Sequence, residues 1–516
     1  MKNISKKIIL GLCTATLLFS SCSDDLDTTP KVELSLENLL AKDPNAIEGL
    51  LSKMYGTFAL SGSKGAGSSD ITGPDPGETA FLRSIINLQE FTADGMKNRW
   101  GDDGLDQLTT SSRWNSNNKF FRYLYDRVYY IVPQSTNIII ALNTVDVPNE
   151  EQIVSELRFI RALSYYYMID CFGKGVIVNE TNYGSTTPLP EASRQELFDY
   201  VESELLDIEG KIALTNTYGR ANKSVVRMTL AKLYINSEVY TGTKHYTEAL
   251  TYLNKIVTEG NYQLAGSFVS QFSGDNQTST EVIFPLIADA VSSQSFGNTT
   301  YLVNGSCSTE TMNINDFGTS DAWTGHRATK AWYGLYGNLA TSPDDRAKLF
   351  WTQGHAYEMT DYKKWTDGYP AVKFRNTNFS GTSLSTPFSS TDFPMYRLAD
   401  VYLMYAECVL RGGAGGTASQ ALDYVNAVRN RSHAGAITSG QLTLDFLLDE
   451  RARELNLEGH RRTDLIRFGK FTGSSYLWPW KGNAVNGAAI PETYNVFPIP
   501  QTALQANPNL SQNSGY

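Results

Sequence analysis

The side chains that most often carry out catalysis are scattered along this sequence of 516 residues. None of the patterns HExxH, GxSxG, P-loop or EF-hand occurs, and the glycine run at 412–416 is not preceded by a strand, as a phosphate-binding loop would be. The sequence therefore favours a binding protein over an enzyme, and we expect no metal or other cofactor. The five histidines have no metal-ligand spacing: His245, His326, His355, His433 and His460.

The clearest chemical signal is a thiol near the N-terminus. Three lysines precede an apolar run at residues 8–19, which is too short to cross a bilayer, and Cys22 follows two small residues. This pattern looks like the lipobox of bacterial lipoproteins. It predicts a signal peptide at 1–21 and lipidation of Cys22, whereas the alternative is an ordinary signal peptide with a chance cysteine. Asp24, Asp25 and Asp27 resemble a surface-export signal of Bacteroidetes lipoproteins, so we expect the protein on the outer face of the outer membrane.

Composition narrows the possible partners. Lys and Arg number 44 against 54 Asp and Glu, which gives a net charge of −10 and disfavours nucleic acid. Tyr, Phe and Trp reach 12% of the chain, more than a core requires, so we expect some of them on a binding surface. Cys171, Cys307 and Cys408 lack CxxC spacing, which favours buried apolar residues over a disulfide or metal site.

The elements that would position a site are mostly helical. Apolar residues at 222–240 and 246–260 have helical spacing around a break at Gly242, and a similar pair surrounds the glycine run at 412–416. Such pairs resemble tetratricopeptide repeats, so we predict a mainly α fold of helix hairpins. Further helices are predicted at 118–143, 150–171, 194–214 and 442–457.

Two segments interrupt the helical pattern. Residues 61–114 and 265–393 are rich in Gly, Ser, Thr, Asn and aromatic residues and have no sustained period. We expect them to protrude from the helical scaffold, to meet, and to carry the function, since rigid scaffolds commonly present binding residues on loops. Residues 22–516 are predicted to form one domain.

Several motifs in the second half of the chain resemble the SusD/RagB family. They are YRLADVYLMYAE at 396–407, NAVRNR at 426–431, EGHR at 458–461, DLIRFG at 464–469 and the ending at 498–516. The resemblance implies a surface-exposed lipoprotein of the outer membrane that captures an oligosaccharide or polysaccharide and delivers it to a SusC-like TonB-dependent transporter. The charged residues of these motifs have helical spacings that suit ion pairs, so we assign them a structural role.

The same resemblance implies a set of ligand-binding residues. Asp75, Arg83, Trp100 and Asp103 are similar to the glycan-contact region of a starch-binding member, and a second arm would come from Tyr301 and Trp323. A Trp face can stack on the C–H face of a sugar, while Arg and Asp pair with its hydroxyls. That member has an amide at position 103 and an aromatic residue at Asn98, so the identity of the glycan does not transfer. The other candidate tryptophans are predicted to pack internally: Trp114, Trp332 and Trp351.

Three alternatives to a glycan-uptake protein stay open. A surface glycoside hydrolase would need two carboxylates about 5 to 10 Å apart, and the sequence cannot identify such a pair among 54 acidic residues. A peptide-binding or glycoprotein-binding relative would share the same scaffold. A peptidoglycan-binding or adhesin role would need no sugar-stacking surface.

Overall fold

The computed structural model describes residues 35–381 and 385–516. The predicted signal peptide, Cys22 and the acidic residues after it lie outside the described residues. Within these ranges the chain forms seventeen α-helices and four short β-strands. The helices are α1 (Leu36–Lys42), α2 (Ala46–Ala59), α3 (Phe81–Ile86), α4 (Leu105–Thr109), α5 (Lys119–Leu142), α6 (Glu150–Cys171), α7 (Arg194–Lys211), α8 (Lys223–Ile235), α9 (Ser237–Thr241), α10 (Tyr246–Glu259), α11 (Thr299–Ser306), α12 (Lys330–Tyr333), α13 (Leu398–Leu410), α14 (Ala418–Arg431), α15 (Leu444–Leu455), α16 (Arg461–Arg467) and α17 (Gln501–Ala506). The strands are β1 (Met96–Asn98), β2 (Val282–Leu286), β3 (His326–Ala328) and β4 (Phe393–Arg397).

The scaffold is a row of helices in which each packs against the next. The order is α5, α6, α7, α8, α10, α13 and α14, so the two predicted hairpins lie side by side although a long segment separates them in sequence. Gly413 permits this approach, because a Cβ there would lie 2.9 Å from Leu250 Cδ1. The mainly helical, hairpin-based fold predicted from the sequence is confirmed.

Local conformation corrects three predicted helix boundaries. The helix predicted at 194–214 ends at Lys211, because Ile212 is extended. The one predicted at 222–240 divides into α8 and α9 at Asn236. The one predicted at 442–457 is shorter at both ends, since the Thr443 side chain caps its first turn and Asn456 leaves the helical conformation. The helices predicted at 118–143 and 150–171 are present.

The two loop-rich segments meet, as predicted, and a small antiparallel sheet joins them. β1 comes from the first segment and β3 from the second, with Met96 opposite Ala328 and Asn98 opposite His326. A second antiparallel pair, β2 with β4, leads directly into α13. The first pair matters for function, because it places the residues that follow β1 beside those that precede β3.

The charged motifs form a buried ion-pair network, which confirms their structural role. Arg397 lies within 2.8 Å of carboxylate oxygens of Glu281, Glu454 and Glu458, and all four side chains are almost fully buried. The neighbouring arginines Arg346, Arg429 and Arg453 outweigh the effect of burial and lower the pKa of Glu450 to about 2. Removing one partner of such a network typically costs about 3 to 5 kcal/mol of stability.

The tryptophans and cysteines that we predicted to pack internally lie in the core or against it. Trp332 and Trp114 are buried, and Trp351 is partly buried beside Phe317. The three cysteines that the structure describes are buried and free. None of the helices in the described ranges is both long and apolar enough to cross a membrane.

Candidate functional site

A cavity of about 880 Å³ lies where the two loop-rich segments meet. We call it the aromatic pocket. Residues of the first segment form one wall, and Phe296 and Trp323 come from the second segment. Its volume is within the range of small-molecule sites. The residues that line it are Ala66, Gly67, Asp75, Pro76, Arg83, Arg99, Trp100, Gly101, Asp102, Phe296 and Trp323.

Trp100 is held firmly at the centre of this pocket. It follows β1, and its backbone N–H donates to Asn98 Oδ1 at 2.7 Å. The indole Nε1 donates to the carbonyl oxygen of Trp323 at 2.9 Å. Gly325 makes room for the ring, because a Cβ there would lie 2.4 Å from Trp100 Cζ2. The indole is therefore half-buried and fixed in orientation, as a stacking surface should be.

Trp323 and Phe296 continue the aromatic surface. The Trp100 and Trp323 rings lie 6.2 Å apart at 57°, and the Trp323 and Phe296 rings lie 6.1 Å apart at 52°. Trp323 is fixed by a hydrogen bond from its Nε1 to Asp321 Oδ2 at 2.8 Å. Because each ring is tilted against the next and all three line one cavity, the half-buried rings form a concave surface rather than a flat one.

Arg83 supplies the polar counterpart. Its side chain is 7% exposed, and its guanidinium lies 4.4 Å from the centre of the Tyr301 ring. Its ion pairs with Asp75 and Glu78 are long, at 3.9 Å each, and Nε has no hydrogen-bond partner among the described residues. A buried guanidinium whose donors are incompletely used can donate hydrogen bonds to a ligand.

The structure separates the predicted ligand-binding residues into three groups: four that line the aromatic pocket, one that lies beside it and one that is buried. Asp75, Arg83, Trp100 and Trp323 line the aromatic pocket. Asp103 lies on the exposed loop beside it, and its neighbour Asp102 takes the place in the lining.

Tyr301, the remaining expected ligand contact, is buried and does not line the aromatic pocket. The residue is 1% exposed, and its hydroxyl donates to Asn87 Oδ1 at 2.6 Å. Burial raises the pKa of this hydroxyl. Tyr301 belongs to α11, all of whose residues are buried. Its ring contacts the Arg83 guanidinium and the Trp100 ring and so helps to position both.

Phe296 lines the aromatic pocket although no sequence pattern predicted it. This residue is a single aromatic between Ser295 and Gly297 in a segment without helical or strand periodicity, so the pattern of the sequence did not distinguish it. Gly77 makes room for it, since a Cβ there would lie 2.6 Å from Phe296 Cβ. A lone aromatic residue in a polar segment was the one sequence signal that could have indicated it.

His326 lies beneath the pocket. Its ring is 5.2 Å from that of Trp100 and 4.6 Å from that of Tyr301, and it is fully buried. Burial and the nearby Arg83 and Arg327 charges hold the pKa of this histidine well below its usual range. His326 is therefore neutral at pH 7, and its ring packs against those of Trp100 and Tyr301. No cluster of His, Cys, Asp and Glu that could hold a metal occurs in residues 35–381 and 385–516.

Comparison with known proteins decides the family. The model of the SusD family matches residues 258–516. The starch-binding protein SusD of Bacteroides thetaiotaomicron is 31% identical to this chain over 96% of each sequence. The chain belongs to the SusD family.

Two further proteins are similar to this chain at lower identity. The SusD-like protein P25 of Formosa agariphila is 25% identical and aligns with 97% of this chain and 98% of its own. Among solved structures, surface glycan-binding protein A of Bacteroides thetaiotaomicron in complex with laminarihexaose superimposes with a TM-score of 0.69 at 19% identity. The superposition covers 91% of this chain and 99% of that one, and it shows a shared fold.

Proposed function

We propose that this protein binds an oligosaccharide or polysaccharide in the aromatic pocket without cleaving it. The observation that carries the proposal is the combination of three tilted aromatic rings with the buried Arg83 guanidinium. Sugars present an apolar C–H face and an edge of hydroxyls, so rings and charged hydrogen-bonding groups side by side match both surfaces. The family relationship to a starch-binding protein supports the same ligand class.

The concave shape of the aromatic pocket favours a curved glycan chain rather than a flat one. Trp100 and Trp323 are tilted by 57°, so two consecutive sugars can each lie on a ring only if the glycan turns between them. One stacked sugar contributes little against the free-energy cost of association. We therefore expect affinity to rise with chain length until the pocket is filled.

Isothermal titration with maltoheptaose and laminarihexaose tests this proposal. The wild-type protein should bind at least one of them, and the double variant Trp100→Ala/Trp323→Ala should lose that binding. Tyr183→Ala is the matched control, because Tyr183 is an exposed aromatic at 40% exposure that does not line the pocket. Equal affinity in the double variant would contradict the proposal.

The hydrolase alternative is tested in the same samples. Long incubation followed by chromatography of the sugars should recover the ligand at its original length. Shortening with time would favour a surface glycoside hydrolase. Binding of a peptide mixture by a protein that binds neither glycan would favour the peptide-binding alternative.

Delivery and location are separate parts of the proposal. We propose that Cys22 is lipidated, that the protein lies on the outer face of the outer membrane, and that it passes the glycan to a SusC-like TonB-dependent transporter. The support is the sequence at residues 8–27 together with membership of the SusD family. Affinity purification of the tagged protein from detergent-solubilised outer membranes should recover such a transporter. Its absence would contradict the delivery step.

A further inference from the structure

A second cavity of about 560 Å³ lies beside the aromatic pocket. It runs between α5, the loop that precedes α7, and α17. We call it the α5–α17 groove and define it by Arg122, Asp126, Tyr129, Thr187 and Ala506. None of the sequence motifs indicated this groove, and the proposed function places no part of the glycan in it.

One short segment of chain, the Thr72–Pro76 wall, contributes lining residues to both the groove and the aromatic pocket. Thr72 lines the groove, whereas Asp75 and Pro76 line the pocket. Three residues of chain span at most about 11 Å, so the edges of the two cavities are close. Arg122 Nη1 donates to the Thr72 carbonyl oxygen at 3.1 Å and fixes this wall to α5.

The two cavities also share their polar chemistry. In the pocket, Arg83 lies over a tyrosine ring and pairs with Asp75 at 3.9 Å. In the groove, Arg122 lies 5.0 Å from the centre of the Tyr123 ring and pairs with Asp126 at 3.4 Å. Each cavity therefore holds an arginine–aspartate pair whose guanidinium lies against a tyrosine ring.

The carboxylate of Asp126 has hydrogen-bond acceptor positions that a ligand could fill. Its side chain is 32% exposed, and Arg122 provides its one hydrogen bond within the described residues. Burial outweighs the Arg122 charge and raises the pKa of this carboxyl. A carboxylate can accept about four hydrogen bonds, so sugar hydroxyls could supply the missing donors.

The rest of the lining suits the apolar face of a sugar. Val176, Leu189 and Leu510 contribute apolar side chains to the lining, and Thr187 and Thr502 contribute hydroxyls. Tyr129 is held in place by hydrogen bonds between its hydroxyl and the backbone of Val176. This mixture differs from a purely apolar protein-docking surface, because polar and apolar side chains line the same groove.

We infer that the α5–α17 groove binds the distal part of the same glycan chain whose other end occupies the aromatic pocket. The inference rests on the proposed glycan binding and extends it. The protein would then select chains long enough to pass over the Thr72–Pro76 wall. Short oligosaccharides would fill the pocket alone.

Titration with glycans of two lengths tests the inference. Ala506→Trp places a bulky ring in the groove from an exposed position of α17, and Gln505→Trp is the matched control, because Gln505 is exposed on the same helix and does not line the groove. The ligands are maltotriose with maltoheptaose, and laminaritriose with laminarihexaose. Asp126→Asn tests the proposed acceptor without adding bulk.

For the wild type and Gln505→Trp we expect the longer ligand to bind about fivefold or more tightly than the shorter. Ala506→Trp should abolish that gain and leave the affinity for the trisaccharide within about twofold. Asp126→Asn should reduce the gain in the same direction.

Failure of this inference differs from failure of the proposed function. If both ligand lengths bind through Trp100 and Ala506→Trp keeps the full gain, the groove inference is wrong and the aromatic pocket stands. The absence of any length gain in the wild type also overturns it. If the wild type binds none of the four glycans, the proposed function itself is wrong.

Discussion

Replacing Trp100 by Ala removes the ring at the centre of the aromatic pocket. The indole is half-buried, lies 6.2 Å from the Trp323 ring and fixes that residue through a hydrogen bond to its carbonyl oxygen. Truncating an aromatic residue at such a position should cost roughly 1 to 3 kcal/mol of binding, which corresponds to about 5-fold to 150-fold in Kd. Titration calorimetry with the tighter-binding glycan measures this loss.

Stability must be measured beside affinity, because Trp100 also packs on Tyr301 and His326. Trp332→Ala is the reference for a core tryptophan, since Trp332 is fully buried, and it should lose about 3 to 5 kcal/mol of unfolding free energy. Trp100→Ala should lose less. Trp100→Phe keeps an aromatic face but loses the hydrogen bond to Trp323. We therefore expect a smaller loss of unfolding free energy, of about 0.5 to 1.5 kcal/mol. Unchanged affinity in Trp100→Ala together with a collapsed melting temperature would refute the reasoning.

Three further substitutions test other parts of the account. Arg83→Ala should weaken glycan binding in calorimetry, because the pocket loses its buried donor; an unaltered Kd would remove Arg83 from the site. Burial and the Lys232 ammonium lower the pKa of His460 to about 3, so the unfolded chain gains a proton below pH 6.5 that the native state does not. Stability should fall by up to about 1.4 kcal/mol per pH unit through this group as pH drops from 6.5 towards 3, and denaturant titrations of His460→Gln should show a shallower slope; an equal slope would contradict this. Cys22→Ala should abolish metabolic labelling with a fatty acid, and continued labelling would disprove lipidation at that residue.

The helical scaffold could be predicted from the sequence because its signals are local. Periodic apolar residues indicated α5 and α6 closely. The small sheet of β1 and β3 could not be predicted, since each strand has three residues and its partner lies more than two hundred residues away. That pairing brings Trp100 beside Trp323, so the site depends on a contact that no local pattern indicates.

The errors within the site have the same origin. Tyr301 was expected at the surface, yet α11 is buried on all sides, and its burial comes from tertiary packing that its sequence does not display. Phe296 lies just before this helix, is half-buried and lines the pocket. Among adjacent acidic residues, spacing alone could not distinguish Asp102, which lines the pocket, from the exposed Asp103.

A crystal structure with the tighter-binding oligosaccharide tests the central claim most directly. We predict sugar rings stacked on Trp100 and Trp323, with hydroxyls within hydrogen-bond distance of the Arg83 guanidinium. An oligosaccharide bound elsewhere on the protein, with the aromatic pocket empty, would contradict the claim.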